Sequence, residues 1–362
     1  MIPIAKPTIG EEEVGAVSEI IKSGNMASGK QVKKFEEEFA EYSEVKESIA
    51  TVNGTVSLDL ALKALNIKPD DEVILPDFSF IATANCVLFQ NAKPVFADVD
   101  KKTFNIDAED IKKKITPNTK AIIGVHLFGQ PFEIEKIKEI CKNNDLYLIE
   151  DCAQAHGAEY KNKKVGSFGD IGCFSLYATK NMTSGEGGIL TTNNKVLGGK
   201  LRLLINHGQT EKYLHSELGY NYRMTNIQAG LGLCQLKKLD DFNKKRIDNA
   251  CYLSENIKVS GLTLPYIKRN IKHVFHQYVV RIEDNFCMNR VEFIKYLNEN
   301  GIGCAIHYPL PISKQPIYQK LGYSPQDCPV AAEVAEKVLS LPVHPSLIKE
   351  DLKHIVKTIN KL

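Results

Sequence analysis

Residues Leu146 to Asn193, LYLIEDCAQAHGAEYKNKKVGSFGDIGCFSLYATKNMTSGEGGILTTN, hold three short apolar runs separated by polar and glycine-rich turns. Runs this brief, bounded by turn residues, are too short for helices and read as buried strands. The first, Leu146 to Ile149, stops at two acids, Glu150 and Asp151. The second, Ile171 to Tyr177, is closed by Lys180, and the third, Gly188 to Thr192, follows a GEGG turn. Functional groups of α/β sheets gather at the carboxyl ends of the strands. Asp151 and Lys180 are therefore expected at one edge of one sheet.

That pairing points to a specific chemistry. An amine held beside a water-poor sheet edge can lose its proton and condense with an aldehyde to form a Schiff base. A carboxylate against the nitrogen of a bound pyridine keeps that nitrogen protonated, so the ring can accept electrons. Together the two describe a pyridoxal phosphate site. In a chain rich in lysine, a lysine after a strand is ordinarily a solvated surface group, so the reading rests on Asp151, Lys180 and the flanking Ser175 taken together.

Strand and helix patterns alternate along the rest of the chain. Val14, Val17, Ile20 and Ile21 recur at helical spacing within Glu11 to Lys22, and Val32 to Tyr42 repeats the pattern. The loop between them, KSGNMASGK, is either a plain connector or a lip over the active site. Ala50 to Asn53 reads as a strand, and Gly54 and Thr55 open a helix whose unpaired N–H groups are a natural phosphate cradle. Glu72 to Pro76 is a strand, followed by a helix with Phe80 near its entry; such an aromatic is either core or a flat partner for a cofactor ring. Pro94 to Val99 and Ala121 to Leu127 are further strands, and Glu133 to Asn143 is an amphipathic helix. Beyond the central stretch come a helix over Lys195 to Asn206, a polar, aromatic loop HGQTEKYLHSELGYNYRMTN, and a long helix over Ile227 to Ala250.

This alternation predicts an α/β fold with a mostly parallel mixed sheet covered on both faces. At 362 residues the chain suits two domains: a large one over 1–250 and a small C-terminal α+β domain over 251–362. In the latter, Gly261 to Asn270 reads as a connector. His276 to Ile282, Arg290 to Asn298, Gly303 to Tyr308, Pro329 to Ser340 and Glu350 to Ile359 resume the alternation.

Composition removes several function classes. A net charge of +2 is too balanced for a nucleic-acid or membrane surface, and no apolar run is long enough to span a bilayer. The opening MIPIAKPTIGEEEVG turns acidic at once, unlike a signal peptide. Nine cysteines, scattered singly and without a CxxC pair, suit reduced thiols in a cytoplasmic protein, and no structural metal site is expected. Neither GxxxxGK[ST] nor a GxGxxG after the first strand is present, which counts against a kinase or a nicotinamide-dependent epimerase.

With those residues in hand, the chain resembles the DegT/StrS family of nucleotide-sugar aminotransferases, of fold-type I aminotransferase architecture. The likeness runs through NGTVSLDLAL, DFSFIATANCVL with PVFADVD, EDCAQAHGA, SFGDIGCFSLYATKNMTSGEGG, GYNYRMTNIQAGLGLCQLKKLD, HYPLPISKQPIY and LSLPVHP. It implies that Lys180 is the Schiff-base lysine and Asp151 the pyridinium partner. Gln154 matches the contact to the ring hydroxyl, Phe80 the aromatic over the ring face, and Gly54, Thr55 and Ser175 the phosphate ligands. Asn221, in GYNYR, matches a phosphate contact donated by the second subunit, which implies a homodimer with shared sites. His156 either helps to shape the pocket or is a buried histidine with both nitrogens hydrogen-bonded.

Two positions depart from the family pattern: NGT replaces the frequent SGT, and Asp59, which stands where His is frequent, is expected to alter hydrogen bonding near the cofactor phosphate. The activity implied is transfer of an amino group from glutamate to a nucleotide-linked keto-sugar, giving an amino sugar for a polysaccharide or glycoconjugate. The alternatives are a sugar dehydratase using the same cofactor, in which His replaces the Schiff-base lysine, a non-catalytic regulatory member, and an enzyme acting on a cyclic amino-acid precursor. Lys180 favours transamination. The loops that vary within the family, KSGNMASGK, Lys212 to Gly219 and the region of His307 and Tyr308, are where substrate identity would be decided.

Overall fold

The structure is a computed structural model that describes residues 1–362. Seven strands form the central sheet: β1 (Glu47–Thr51), β2 (Glu72–Pro76), β3 (Lys93–Ala97), β4 (Thr119–Val125), β5 (Tyr147–Asp151), β6 (Ile171–Ser175) and β7 (Gly188–Thr192). Their order is β1-β7-β6-β5-β4-β2-β3. The five strands from β6 to β3 run parallel, while β7 is antiparallel to both β6 and β1.

Near-continuous apolar strands need cover on both faces. Helices α1 (Glu11–Lys22), α2 (Lys30–Ser43), α3 (Gly54–Ala64), α4 (Ala82–Phe89), α5 (Ala108–Lys114), α6 (Ile134–Asn143), α7 (Lys195–Ile205) and α8 (Asn226–Asn256) surround the sheet. The two-residue period of β2 divides its side chains between the faces. Val73 and Leu75 join Leu58 and Leu62 of α3 and Val87 of α4 in one core. Ile74, between them, joins Ile137 and Ile140 of α6, Phe35 and Phe39 of α2 and Leu236 of α8 in the other.

A third core lies toward the C-terminus, over the antiparallel sheet of β8 (Leu262–Thr263), β9 (Tyr278–Ile282) and β10 (Val338–Leu341). Helices α9 (Arg290–Glu299), α10 (Pro316–Lys320), α11 (Pro329–Lys337) and α12 (Lys349–Ile359) complete this part of the chain. Residue 250 lies inside α8, and Ala250 and Leu253 already belong to the third core. Ile2 bridges to Ile302 and packs on the same core, so the first residues are tied to the C-terminal part.

Three local expectations are corrected. The connector Gly261–Asn270 contains β8, a strand of two residues and too short to show alternation. Gly303–Tyr308 forms no strand; it makes one bridge, Ala305 to Ser340, and His307 Nδ1 lies 2.8 Å from Ser340 Oγ. The loop after α7 carries a small hairpin pairing Gln209–Glu211 with Leu214–His215. No helix is long and apolar enough to cross a membrane.

Candidate active site

Asp151 is the last residue of β5 and pairs in register with Val125 of β4 and Cys173 of β6. Its carboxylate is buried. Oδ1 accepts the Ala153 N–H at 3.1 Å and Oδ2 the Thr83 hydroxyl of α4 at 2.9 Å. Burial pushes its pKa up, opposed by those two hydrogen bonds and by the charge of Lys180.

Lys180 follows β6 in a turn closed by its N–H donating to Tyr177 O at 3.0 Å. It is half-buried by surface, yet lies deep in the body of the molecule. Desolvation brings its amine down to about 8, with Asp151 pulling the other way, and it has no hydrogen-bond partner. The two groups feel each other's charge without joining in a direct ion pair. An amine and an acid so placed leave a site for a group between them.

The start of α3 supplies an anion cradle beside them. Asn53 caps the helix, its Oδ1 accepting the Val56 N–H at 2.9 Å, while the Gly54 and Thr55 N–H groups have no partner. Gly188 of β7 pairs with both Thr51 of β1 and Ser175 of β6, which draws the start of α3 onto the end of β6. The approach is so close that a Cβ at Gly54 would lie 2.6 Å from Ser175 Cβ. Free N–H groups, the Thr55 and Ser175 hydroxyls and the positive end of a helix together suit a phosphate. Asp59 turns elsewhere: it accepts the Gln90 Nε2 at 2.5 Å, and that hydrogen bond, not one at the cradle, is its partner.

Gln154 is fixed at both ends of its amide. Oε1 accepts the Phe128 N–H at 2.8 Å and Nε2 donates to the Tyr308 hydroxyl at 2.9 Å. The Tyr308 ring in turn lies 6.0 Å from that of Phe80, which is 54% exposed. Phe80 thus offers an uncovered aromatic face just ahead of the helix that carries Thr83. The fully bonded alternative for His156 is not what forms: both its ring nitrogens are buried without a partner, and burial takes its pKa down to about 3. Asn221 is exposed, its backbone bridging to Asn206, and makes no hydrogen bond to Lys180 or Asp151 in the same chain.

Sequence reasoning missed Thr83, and it placed Tyr308 only within a variable loop. Neither carries a local signal; each acts through a partner far away in sequence. His126 and Glu150 form a buried pair at 3.0 Å next to Asp151, with Cys152 close by. Glu150 also accepts the N–H groups of Gly166, Phe168 and Gly169, and His126 Nδ1 accepts that of Phe132. Every ligand lone pair of the His and the acid is engaged, so the trio anchors the β5–β6 connection rather than offering a metal seat.

A planar pyridine aldehyde carrying a phosphate fits this set. Its ring nitrogen would meet a buried, acceptor-only carboxylate, its aldehyde an unpartnered amine and its phosphate the Gly54–Ser175 cradle.

Comparison with known proteins agrees. Residues 7–360 match the profile of the DegT/DnrJ/EryC1/StrS aminotransferase family. The chain is 38% identical to the GDP-perosamine synthase of Escherichia coli O157:H7, covering 99% of this chain and 98% of that protein. It is 39% identical to the UDP-N-acetyl-3-dehydro-alpha-D-glucosamine 3-aminotransferase of Acidithiobacillus ferrooxidans, covering 97% and 94%. Among solved structures, the PLP-form of the putative sugar aminotransferase Spr1654 from Streptococcus pneumoniae superposes with a TM-score of 0.94 at 28% identity, covering 99% of this chain and 98% of that one.

Proposed function

The chain belongs to the DegT/DnrJ/EryC1/StrS aminotransferase family, and on that premise we propose that it moves the amino group of glutamate to the keto group of a nucleotide-linked sugar, using pyridoxal phosphate. The observation that carries this reading is the unpartnered amine of Lys180 within charge range of the buried Asp151. The product is an amino sugar, and the names of the two relatives, one with GDP and one with UDP, support a nucleotide-sugar substrate.

When bound, pyridoxal phosphate supplies an electron-accepting ring that stabilises negative charge on the carbon losing its proton. The protein's own groups do the rest. Lys180 Nζ, kept partly neutral by desolvation, takes the proton from the donor's α-carbon and returns one to the acceptor. Asp151 would meet the ring nitrogen and keep it protonated; Thr83 and the Ala153 N–H hold that carboxylate in place. Gly54, Thr55 and Ser175 would hold the phosphate, Phe80 would offer its ring as a stacking face, and Gln154, oriented by the Phe128 N–H and Tyr308, would contact the ring hydroxyl.

Asn221 is exposed and its side chain makes no hydrogen bond within its own chain, which supports a homodimer with shared sites. Nine free cysteines suit a reducing cytoplasm. A dehydratase of this family would not keep a lysine at position 180, and a pure binding protein has no need of an amine facing an acid. The test is a screen of GDP-, UDP- and dTDP-linked 3- and 4-keto-sugars with glutamate, following 2-oxoglutarate release, together with borohydride fixation of the cofactor. We expect fixation on Lys180; label on another lysine refutes the assignment.

A further inference from the structure

A small cavity lies beside Lys180, lined also by Lys6, Thr8, Asn181, Gln235 and Arg246 among others and by no acidic side chain. Arg246 of α8 is 6% exposed. Its Nη1 donates to the carbonyl oxygens of Phe275 and His276 at 3.2 and 3.4 Å, while Nε is buried with no partner and Nη2 makes no hydrogen bond. A guanidinium carries five N–H donors and cannot shed its charge. Buried cations are otherwise paired with acids, since an uncompensated one is costly.

No acid performs that service here. Burial lowers the pKa of Arg246 to about 10, with no carboxylate working against it. The neighbouring imidazoles of His156 and His276 are held neutral by burial and by Arg246 and Lys180. Gln235, in the lining, donates its Nε2 to Glu13 at 2.9 Å, but Glu13 is already paired with Lys238 at 2.8 Å and makes no hydrogen bond to Arg246. Three cations thus converge on a space that lacks their counter-charge. With a volume of about 10 Å³, it admits one oxygen-sized group and excludes a sugar ring or a base.

We infer that this cavity seats one carboxylate oxygen of the amino donor, held by Arg246 with Lys6 beside it, so that the donor's α-carbon is brought to Lys180. The inference rests on the aminotransferase reading and adds to it a named anion seat. A carboxylate oxygen there would take up the idle Nε and Nη2 donors of Arg246 in charge-assisted bonds. A sugar nucleotide, too large for the space, would have to enter by another route, so the two substrates should separate in mutational effect.

The test uses holoenzyme and glutarate, a dicarboxylate without an amine, with binding read by calorimetry. Wild type should bind glutarate, and Arg246→Gln should weaken that binding by roughly ten- to hundredfold, the loss of one bond to a charged group. Its KM for glutamate should rise while the KM for the keto-sugar stays as in wild type, and Arg246→Lys should recover part of the loss. An unchanged glutarate Kd in Arg246→Gln overturns the proposal and leaves Arg246 as a clamp on two carbonyls. If that variant does not fold, the exposed Lys6→Glu decides: weaker glutarate binding supports the seat and an unchanged Kd rejects it. Borohydride fixation on wild-type Lys180 is measured alongside; its absence would sink the aminotransferase reading itself, separately from the seat.

Discussion

Lys180 and Asp151 differ in how their surroundings set their protonation. For the amine, burial wins over the pull of one acid, leaving it near 8 instead of the ordinary lysine value of 10.5. A lowered pKa means that the neutral form, the one able to attack an aldehyde, is present at lower pH: about a tenth at pH 7, against about three in ten thousand for a free lysine. The rate at which apoenzyme captures pyridoxal phosphate should therefore rise with pH along a single ionisation centred near 8, read from cofactor absorbance. A midpoint above 10 would show that Lys180 is not desolvated. Lys180→Ala should abolish turnover while leaving the melting temperature within a few degrees, because the amine makes no hydrogen bond for the fold to lose. Thr83→Val tests the acid. Without its hydroxyl, the Asp151 carboxylate loses a donor to its charged form, so its already raised pKa rises further, by about one unit for a bond of 1–2 kcal/mol. The acid limb of the rate profile, where activity falls as Asp151 takes up a proton, should move to higher pH; an unmoved limb would mean that Thr83 does not tune it.

The cradle belongs to elements, since neither α3 nor β6 makes it alone. Gly54→Ala would drive a methyl into Ser175 at the closest approach of the two, and a forced contact of this kind costs about 1–3 kcal/mol. Adding Ser175→Gly removes the closest obstacle, leaving the Cα of residue 175 at 3.1 Å, together with one hydroxyl of the cradle. The double variant should thus regain most of the melting temperature of wild type but not its cofactor affinity. Recovery of both would show that Ser175 serves only packing. The same elements show what could be read in advance. Strands β2 and β7 matched their apolar runs to the residue because turn residues bound both ends, and Asp151 and Lys180 could be placed because each closes such a run. Patterns failed where structure depends on distant partners. Gly303–Tyr308 alternates like a strand, yet only Ala305 finds a backbone partner on β10; β8 is too short to alternate at all. Thr83, Tyr308 and Arg246 are invisible for the same reason: each owes its role to a contact more than twenty-five positions along the chain.

At the scale of the whole molecule, the site of one chain has every proposed group except a use for Asn221, which lies exposed on the loop before α8. If Asn221 completes the phosphate site of a partner, a subunit carrying Lys180→Ala and one carrying Asn221→Ala are each impaired as homodimers, for different reasons. In the mixed dimer one site has lost both residues, while the other pairs an intact Lys180 with the intact Asn221 of its neighbour. Random assembly makes half the dimers mixed and leaves half the sites in each of them whole, so co-expression should restore about a quarter of wild-type activity, following the statistics of a closed two-fold assembly. Were Asn221 to serve its own chain, every site in the mixed dimer would lack one residue or the other. Co-expression would then yield no more than the average of the two homodimers. The comparison is internal to one preparation, so it depends on neither the sugar nor the nucleotide, provided any substrate is turned over.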